Sequence, residues 1–540
     1  LLQKLKKNKM KISRFFFRIE LLIFLLIIRF LTSCDNGVES NEKEENEKDY
    51  KNLIVIKMDE LRFDQLGYKG HPIVKTPNID QLAAESNVFS NVYTVSPLCT
   101  PSRASFFTGK YTMQHGCKFV DMPNHMSPDQ WSYINTLRDS GYVIGLAGKN
   151  HCFNDEYMEE FFDYREEYTH FGKNHGTFIK KDKEIFEYRH NDPRPEFRSK
   201  APDHEGSILS EGLIEGPMPF KEEEAMTYRI AEDGIRFLEE NKDRPFFLHY
   251  SFPDPHWPNV VTEPYYSMYN PDSITLEGLD IDWSTHPFAH FVQSVSQGYD
   301  KYNEEERKRI VATMFGQTTF CDMAIGMLMD KVEELGLLEN TVIVFTVDHG
   351  NFGGQFGMIG KTKGFYDALV RVPLIIHFPE IKQNKTFDAN IENIDVMPTI
   401  MDYLGFEEHP GIKGKSFLPI IKGEKPDQHR EVIYSEVGLP EEPPMPKNLD
   451  DFWDYRADRI EEEGTSWFLE YTVQGRSSMV KKDGWKYCYY TNDMEELYNC
   501  NVDSLELNNL ALKPEYQNKL SEMREIWKST VLLNSMSESN

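Results

Sequence analysis

The sequence predicts an α/β protein: a sheet with helices on both faces, followed by a smaller domain of antiparallel strands. Three observations carry this. Two β-branched apolar runs, Leu53–Met58 and Thr341–Val347, each stop abruptly on acidic side chains, as buried strands of a parallel sheet do. Helical patterns lie between such runs, in the first part of Thr76–Tyr93 and in Ala312–Gly336, the second closed by its glycine. After about residue 425 the alternation gives way to strand-like segments with tight turns.

Taken in order, Leu53–Met58 is the first strand and ends on Asp59 and Glu60. The segment Thr76–Tyr93 continues as a helix and a second strand. Thr341–Gly350 repeats the first pattern and ends on Asp348 and His349, and Arg371–Phe378 is a further strand. Ser477–Cys500 reads as antiparallel strands with turns at Asp483-Gly484 and Asn492-Asp493. An amphipathic helix over Lys513–Leu533 closes the chain. The expected division is 51–425 for the large domain and 426–540 for the smaller one.

The first residues are not part of that fold. From Met10 the chain has a basic start, an apolar run from Leu21, and then Leu31-Thr32-Ser33-Cys34. This pattern predicts a cleaved export signal over residues 1–34. Its ending resembles a bacterial lipobox, which implies a lipid on Cys34 and a membrane-anchored protein of the periplasm or cell surface. Residues 35–50 read as an acidic, solvated tether. With 540 residues the chain has material for a large core, and its formal charge of −28 argues against nucleic-acid binding. An anionic substrate would need local positive charge at its site. Of seven cysteines, setting aside Cys34 for a lipid and Cys99 for a separate role leaves an odd number, which argues against a full disulfide framework and leaves open a single bridge such as Cys488–Cys500.

In open α/β sheets chemistry collects beyond the carboxyl ends of the strands. Asp59, Glu60, Asp348 and His349 stand there, an oxygen-rich set that suits a hard cation such as Ca²⁺ or Mg²⁺. Lys149 and His151 also follow a strand-like run, as does His256. Lys361 and Lys363 lie close after the second acidic strand end. All could converge on one sheet edge.

Cys99 belongs to neither a disulfide nor a zinc spacing. It begins Cys-Thr-Pro-Ser-Arg, followed by Thr108-Gly109. This stretch resembles the type I sulfatase signature, which directs oxidation of the cysteine to formylglycine. The likeness continues in Met58–Gly67, in Gly148-Lys149-Asn150-His151, in Pro255–Pro258, in Thr346–Ile376 and in Met494–Ala511. The chain is thereby identified as similar to the formylglycine-dependent sulfatases. The resemblance implies the alkaline-phosphatase-like fold: a large central mixed, mostly parallel sheet flanked by helices, with a smaller C-terminal α+β domain on an antiparallel sheet.

It also implies roles. Asp59, Glu60, Asp348, His349 and residue 99 would hold a cation, Ca²⁺ or else Mg²⁺. Arg103 would orient the formylglycine, and Lys149 and Lys361 would grip the sulfate oxygens. His151 would assist deprotonation of the hydrated aldehyde, and His256 would protonate the leaving alcohol. One hydroxyl of that diol attacks sulfur; the other then expels sulfate and restores the aldehyde. Two positions depart from the family: Glu60 stands where many members have Asp, and Lys363 competes with Lys361. The expected substrate is a sulfated polysaccharide fragment, from ulvan or another algal glycan, with glycosaminoglycans as the alternative. A formylglycine-generating enzyme would be a partner. Two rival readings are a phosphonate monoester or phosphodiester hydrolase of the same superfamily, and a non-catalytic surface lipoprotein that binds sulfated glycans.

Overall fold

A computed structural model describes residues 51–535 except 119–124, 170–171, 175–214, 219–220, 288–289, 291–301, 363, 382–383, 439–475 and 492. The expected signal, Cys34 and the tether lie outside the described residues, as do Lys363 and Asn492.

Among the described residues, nine strands form the central sheet. In chain order they are β1 (Asn52–Met58), β2 (Asn87–Tyr93), β3 (Val143–Gly148), β4 (Tyr164–Thr169), β5 (Gly172–Asn174), and then β7 (Phe246–Ser251), β9 (Thr341–Val347), β10 (Arg371–His377) and β11 (Thr386–Glu392). A separate parallel pair is made by β6 (Glu215–Met218) and β8 (Asn259–Thr262). The spatial order is β11-β2-β10-β9-β1-β7-β3-β4-β5. Pairing is parallel at β9·β1, β1·β7, β7·β3, β3·β4 and β11·β2, and antiparallel at β10·β9, β10·β2 and β4·β5. The expected mixed, mostly parallel sheet is the one observed.

Every residue of β1 and of β9 is buried, which is why both read as mainly apolar runs rather than alternating ones. Their register aligns Met58 with Val347, so the two acidic strand ends finish side by side. On the other flank of β1, Lys57 pairs with Ser251, and Ser251 pairs in turn with Gly148 of β3. Four adjacent parallel strands therefore release their following loops at one edge.

The helices that matter for the site are α1 (Pro77–Ala84), α2 (Cys99–Thr108), α3 (Thr112–His115), α4 (Met226–Asn241) and α5 (Glu304–Glu334). Helix α5 starts eight residues before the apolar pattern that predicts it. Asn303 caps Glu306 N at 2.9 Å, and the Glu306 carboxylate accepts from Asn303 N at 2.8 Å. This capping box opens a turn made of Glu304–Glu306, which carries no apolar signal. Beyond the helix, Gly336 takes the left-handed φ of 67° that ends it.

The smaller sheet is antiparallel, β12 (Ile433–Val437), β13 (Ser477–Lys482), β14 (Trp485–Tyr490) and β15 (Glu496–Asn499). The turn expected at Asp483-Gly484 joins β13 to β14. Helix α6 (Gln517–Ser535) lays Leu520 and Met523 on Tyr434, Val480, Tyr487 and Leu497. Tyr93, Leu98, Phe365 and Val370 share a core with Ile433, Met479 and Tyr490. Beside it, the fully buried Lys486 Nζ lies 2.6 Å from both Asp367 and Glu506 and donates to Phe365 O at 2.7 Å.

Candidate active site

Cys99 opens helix α2 with Leu98 in extended conformation before it. Its Sγ lies 3.1 Å from His349 Nε2. One donor atom each from Asp59, Cys99, Asp348 and His349 lie within 4.8 Å of one another, and all four residues are buried. The motif around Cys99 is used residue by residue. Thr100 donates to His151 O at 2.8 Å, Ser102 donates to Asp348 O at 2.6 Å, and Arg103 Nε donates to Asp348 Oδ2 at 2.7 Å. Arg103 Nη1 also donates to Ser251 Oγ at 2.9 Å and to Lys149 O at 3.3 Å. One guanidinium thus touches the ends of β9, β7 and β3, as its planar fork allows.

Lys149 follows β3 and pairs with the Asp59 carboxylate. Gly148 makes this approach feasible: its φ is +116°, and a Cβ there would stand 1.7 Å from Ser251 O. His151 and Glu60 are themselves held at left-handed φ values of 57° and 63°. For non-glycine residues such backbone costs about 1–3 kcal/mol, and it clusters at functional sites. Glu60 N donates to Asp348 Oδ1 at 3.1 Å, which joins the two strand ends directly.

Glu60, proposed from the sequence as a cation ligand, stands beside the four-residue group. Its Oε2 lies 3.0 Å from His256 Nε2 and 3.0 Å from Lys361 Nζ, and its Oε1 accepts from Asn351 at 3.2 Å. Lys361 Nζ lies 2.9 Å from His256 Nε2. Of the two lysines that follow the second acidic strand end, Lys361 is described and reaches Glu60 and His256. All the residues singled out from the sequence and described here meet at this one edge.

The electrostatics follow from burial and proximity. Burial pushes the Asp59 carboxyl up, but Lys149, His256, Arg103 and Lys361 outweigh it and hold the group well below its usual range. Glu60 is lowered likewise, against burial, by His256 and Lys361. Burial works against a charge on His256, yet Glu60 and Asp59 raise it to about 9. Burial, followed by Lys149 and His125, keeps His151 well below the ordinary histidine value. Two imidazoles at one site are thereby driven apart, one toward proton donor and one toward acceptor. The formal charges of Asp59, Glu60 and Asp348 balance those of Arg103, Lys149 and Lys361, so the proton on His256 leaves the site positive. A divalent cation would make it more so, as an anionic ester requires.

Several residues here were not singled out from the sequence. Ser251 reads as the end of an apolar strand. Asn351 accepts from Gly353 N at 2.7 Å and Gly360 N at 2.9 Å, shaping the loop that carries Lys361. The His125 ring lies 5.8 Å from that of His151, edge to face. Asn351 lies three residues after Asp348, a signal that was available; His125 offers none.

The family model for sulfatases matches residues 51–406. The chain belongs to the sulfatase family. Among curated relatives, the arylsulfatase of Clostridium perfringens is 27% identical over 498 residues, covering 88% of this chain and 93% of its own. The ulvan-active sulfatase of Formosa agariphila is 29% identical over 420 residues, 76% and 73% of the two chains. Among solved structures, the phosphonate monoester hydrolase of Silicibacter pomeroyi superposes with a TM-score of 0.70 at 23% identity, covering 91% and 96%. That likeness speaks for the fold alone. The sulfatase described here is a sulfuric ester hydrolase built on the alkaline-phosphatase-like fold.

Proposed function

We propose that this sulfatase removes sulfate from oligosaccharides of sulfated polysaccharides, with residue 99 acting as formylglycine. The observation that supports it is the placement of Cys99 Sγ in a buried group with Asp59, Asp348 and His349. The sulfur marks the position that an oxygen of the modified residue would take. Two carboxylates, an imidazole and that oxygen suit a hard divalent ion, Ca²⁺ or Mg²⁺. Bound there, the ion supplies positive charge for the nucleophilic oxygen and for the sulfate.

The chain's own groups do the rest. Arg103 fixes Asp348 against residue 99. Lys149 and Lys361 offer ammonium groups to the sulfate oxygens. His151, kept neutral by burial, accepts a proton from the hydroxyl on residue 99. His256, kept protonated beside Glu60, gives one to the departing alcohol.

The ulvan activity in the name of one relative supports an algal glycan, with glycosaminoglycans as the alternative. Sulfate release, read by ion chromatography across defined sulfated oligosaccharides, tests the proposal. Aryl phosphonate and phosphodiester substrates run in parallel. At least one sulfated sugar should exceed both by an order of magnitude in kcat/KM; a preference for either phosphorus substrate would overturn the assignment.

The same proposal includes export and a lipid anchor on Cys34. No helix among the described residues is long and apolar enough to cross a membrane. Cys34→Ala should release the protein from the membrane fraction; unchanged partitioning would reject the anchor.

A further inference from the structure

His256 sits on a loop that spans β7 and β8, and the loop's shape decides where its imidazole points. Nδ1 lies 2.6 Å from Trp257 O and donates to it, which leaves Nε2 toward Glu60 and Lys361. Nothing in this local contact fixes the loop itself. Among the contacts that hold it, one side chain of helix α5 reaches both of its flanks.

Gln317 is fully buried near the middle of α5. Its Nε2 donates to Asp254 Oδ1 at 3.0 Å and to Pro258 O at 3.3 Å. Its Oε1 accepts from Asn259 Nδ2 at 3.1 Å. Asp254 lies two residues before His256, and Pro258 lies two residues after it. The amide orientation is dictated by the Asp254 carboxylate, which only accepts. From the other side, Thr227 of α4 donates to Asp254 Oδ2 at 2.6 Å. Asp254 O also accepts from Asp59 N at 3.4 Å, so the loop's first anchor touches the first acidic strand end.

We propose that Gln317 is a positioning residue for the leaving-group acid: its amide clamps both flanks of the His256 loop and so aims Nε2 at the departing oxygen. This rests on the role given to His256 under Proposed function. A side chain with two donor hydrogens and an acceptor at that reach is an amide. Glutamate would set a second carboxylate against Asp254, and methionine would fill the space but hold neither flank.

Displacement of a catalytic group by about 1 Å costs on the order of 100-fold, and only where that group is needed. The test compares Gln317→Met with wild type on phenyl sulfate, whose phenoxide leaves poorly, and on 4-nitrophenyl sulfate, whose leaving group needs little protonation. The expected loss in kcat/KM is about tenfold or more on the first and within about threefold on the second. In a His256→Ala background, Gln317→Met should cost less than about twofold more, because the group it aims is gone.

Circular dichroism and thermal melting establish the fold of each variant. Should Gln317→Met not fold, Asn259→Ala, which removes the contact to Oε1, should give the same pattern at smaller size. Equal losses on both sulfates, or losses from Gln317→Met and His256→Ala that multiply independently, would overturn the proposal. Equal losses for His256→Ala alone would instead reject the acid role of His256. The clamp would then be judged by the double-variant comparison.

Discussion

Arg103 Nε lies 2.7 Å from Asp348 Oδ2, and both side chains are fully shielded from solvent. The pair is expensive to break, because removing one member strands the other's charge. It also joins the Cys99 helix to the second acidic strand end. Arg103→Lys keeps the charge but loses the fork to Ser251 and Lys149 O. We expect kcat/KM for sulfate release to fall by about 100-fold or more, with a clear loss of unfolding midpoint in urea. A variant with wild-type turnover would remove Arg103 from the site.

Residue 99 should carry formylglycine in the turnover-competent fraction. Peptide mass spectrometry of active preparations should show the thiol mass replaced, and Cys99→Ala should leave no measurable sulfate release. Full activity in protein holding only unmodified Cys99 refutes the nucleophile.

Asp59 and Asp348 should be needed for a divalent ion. Chelation should abolish turnover and added Ca²⁺ should restore it. Asp59→Asn and Asp348→Asn should each lower metal content, measured by plasma emission, and activity by orders of magnitude. Normal turnover in demonstrably metal-free enzyme would sink the assignment.

These expectations rest on residues visible before the fold was known, and the reason is local. Asp59 and Asp348 announce themselves because each interrupts an apolar run, and Cys99 and Arg103 share one short motif. What stayed hidden depends on neighbours far apart in the chain. Gln317 reads as one polar residue in a helix, and Ser251 as the end of a strand, until the order β9-β1-β7-β3 brings their partners into reach. Glu60 was legible as an acid at a strand end. That its carboxylate meets His256 and Lys361 depends on how two distant loops pack.

His115 should give the fold an acid limit. It is buried, accepts from Cys117 N through Nδ1 at 3.1 Å, and lies 2.8 Å from Ser105 Oγ through Nε2. Burial, helped by Lys110 and Lys118, lowers it from 6.5 to about 3. The folded chain therefore binds fewer protons here than the unfolded one between those values. Stability present above pH 6.5 is lost as pH falls, by up to about 1.4 kcal/mol per pH unit. Denaturation measured from pH 7 to 4 should show a shallower slope in His115→Gln; an unchanged slope would rule this group out.

Lys486 should matter far more to stability than to chemistry. Lys486→Met strands the buried Glu506 carboxylate beside Asp367, which keeps Lys481 at 2.8 Å, at a cost of about 3–5 kcal/mol. Pairing it with Glu506→Gln should recover part of the loss in a melting experiment. No destabilisation in the single variant would contradict the buried network.

The central strand carries a consequence for how the molecule is made. β1 is synthesised first among the nine strands, yet Asn52 accepts from Phe246 N of β7 and, across 289 positions, pairs with Thr341 of β9. Until the ribosome has delivered β9, the innermost strand has only part of its sheet, and contacts so distant in sequence close slowly. During that interval helix α2 has no Asp348 to hold Arg103 and no His349 to cover the thiol. In the finished fold Cys99 is 1% exposed. Any protein that acts on that sulfur would thus meet it more openly before β9 is in place than after.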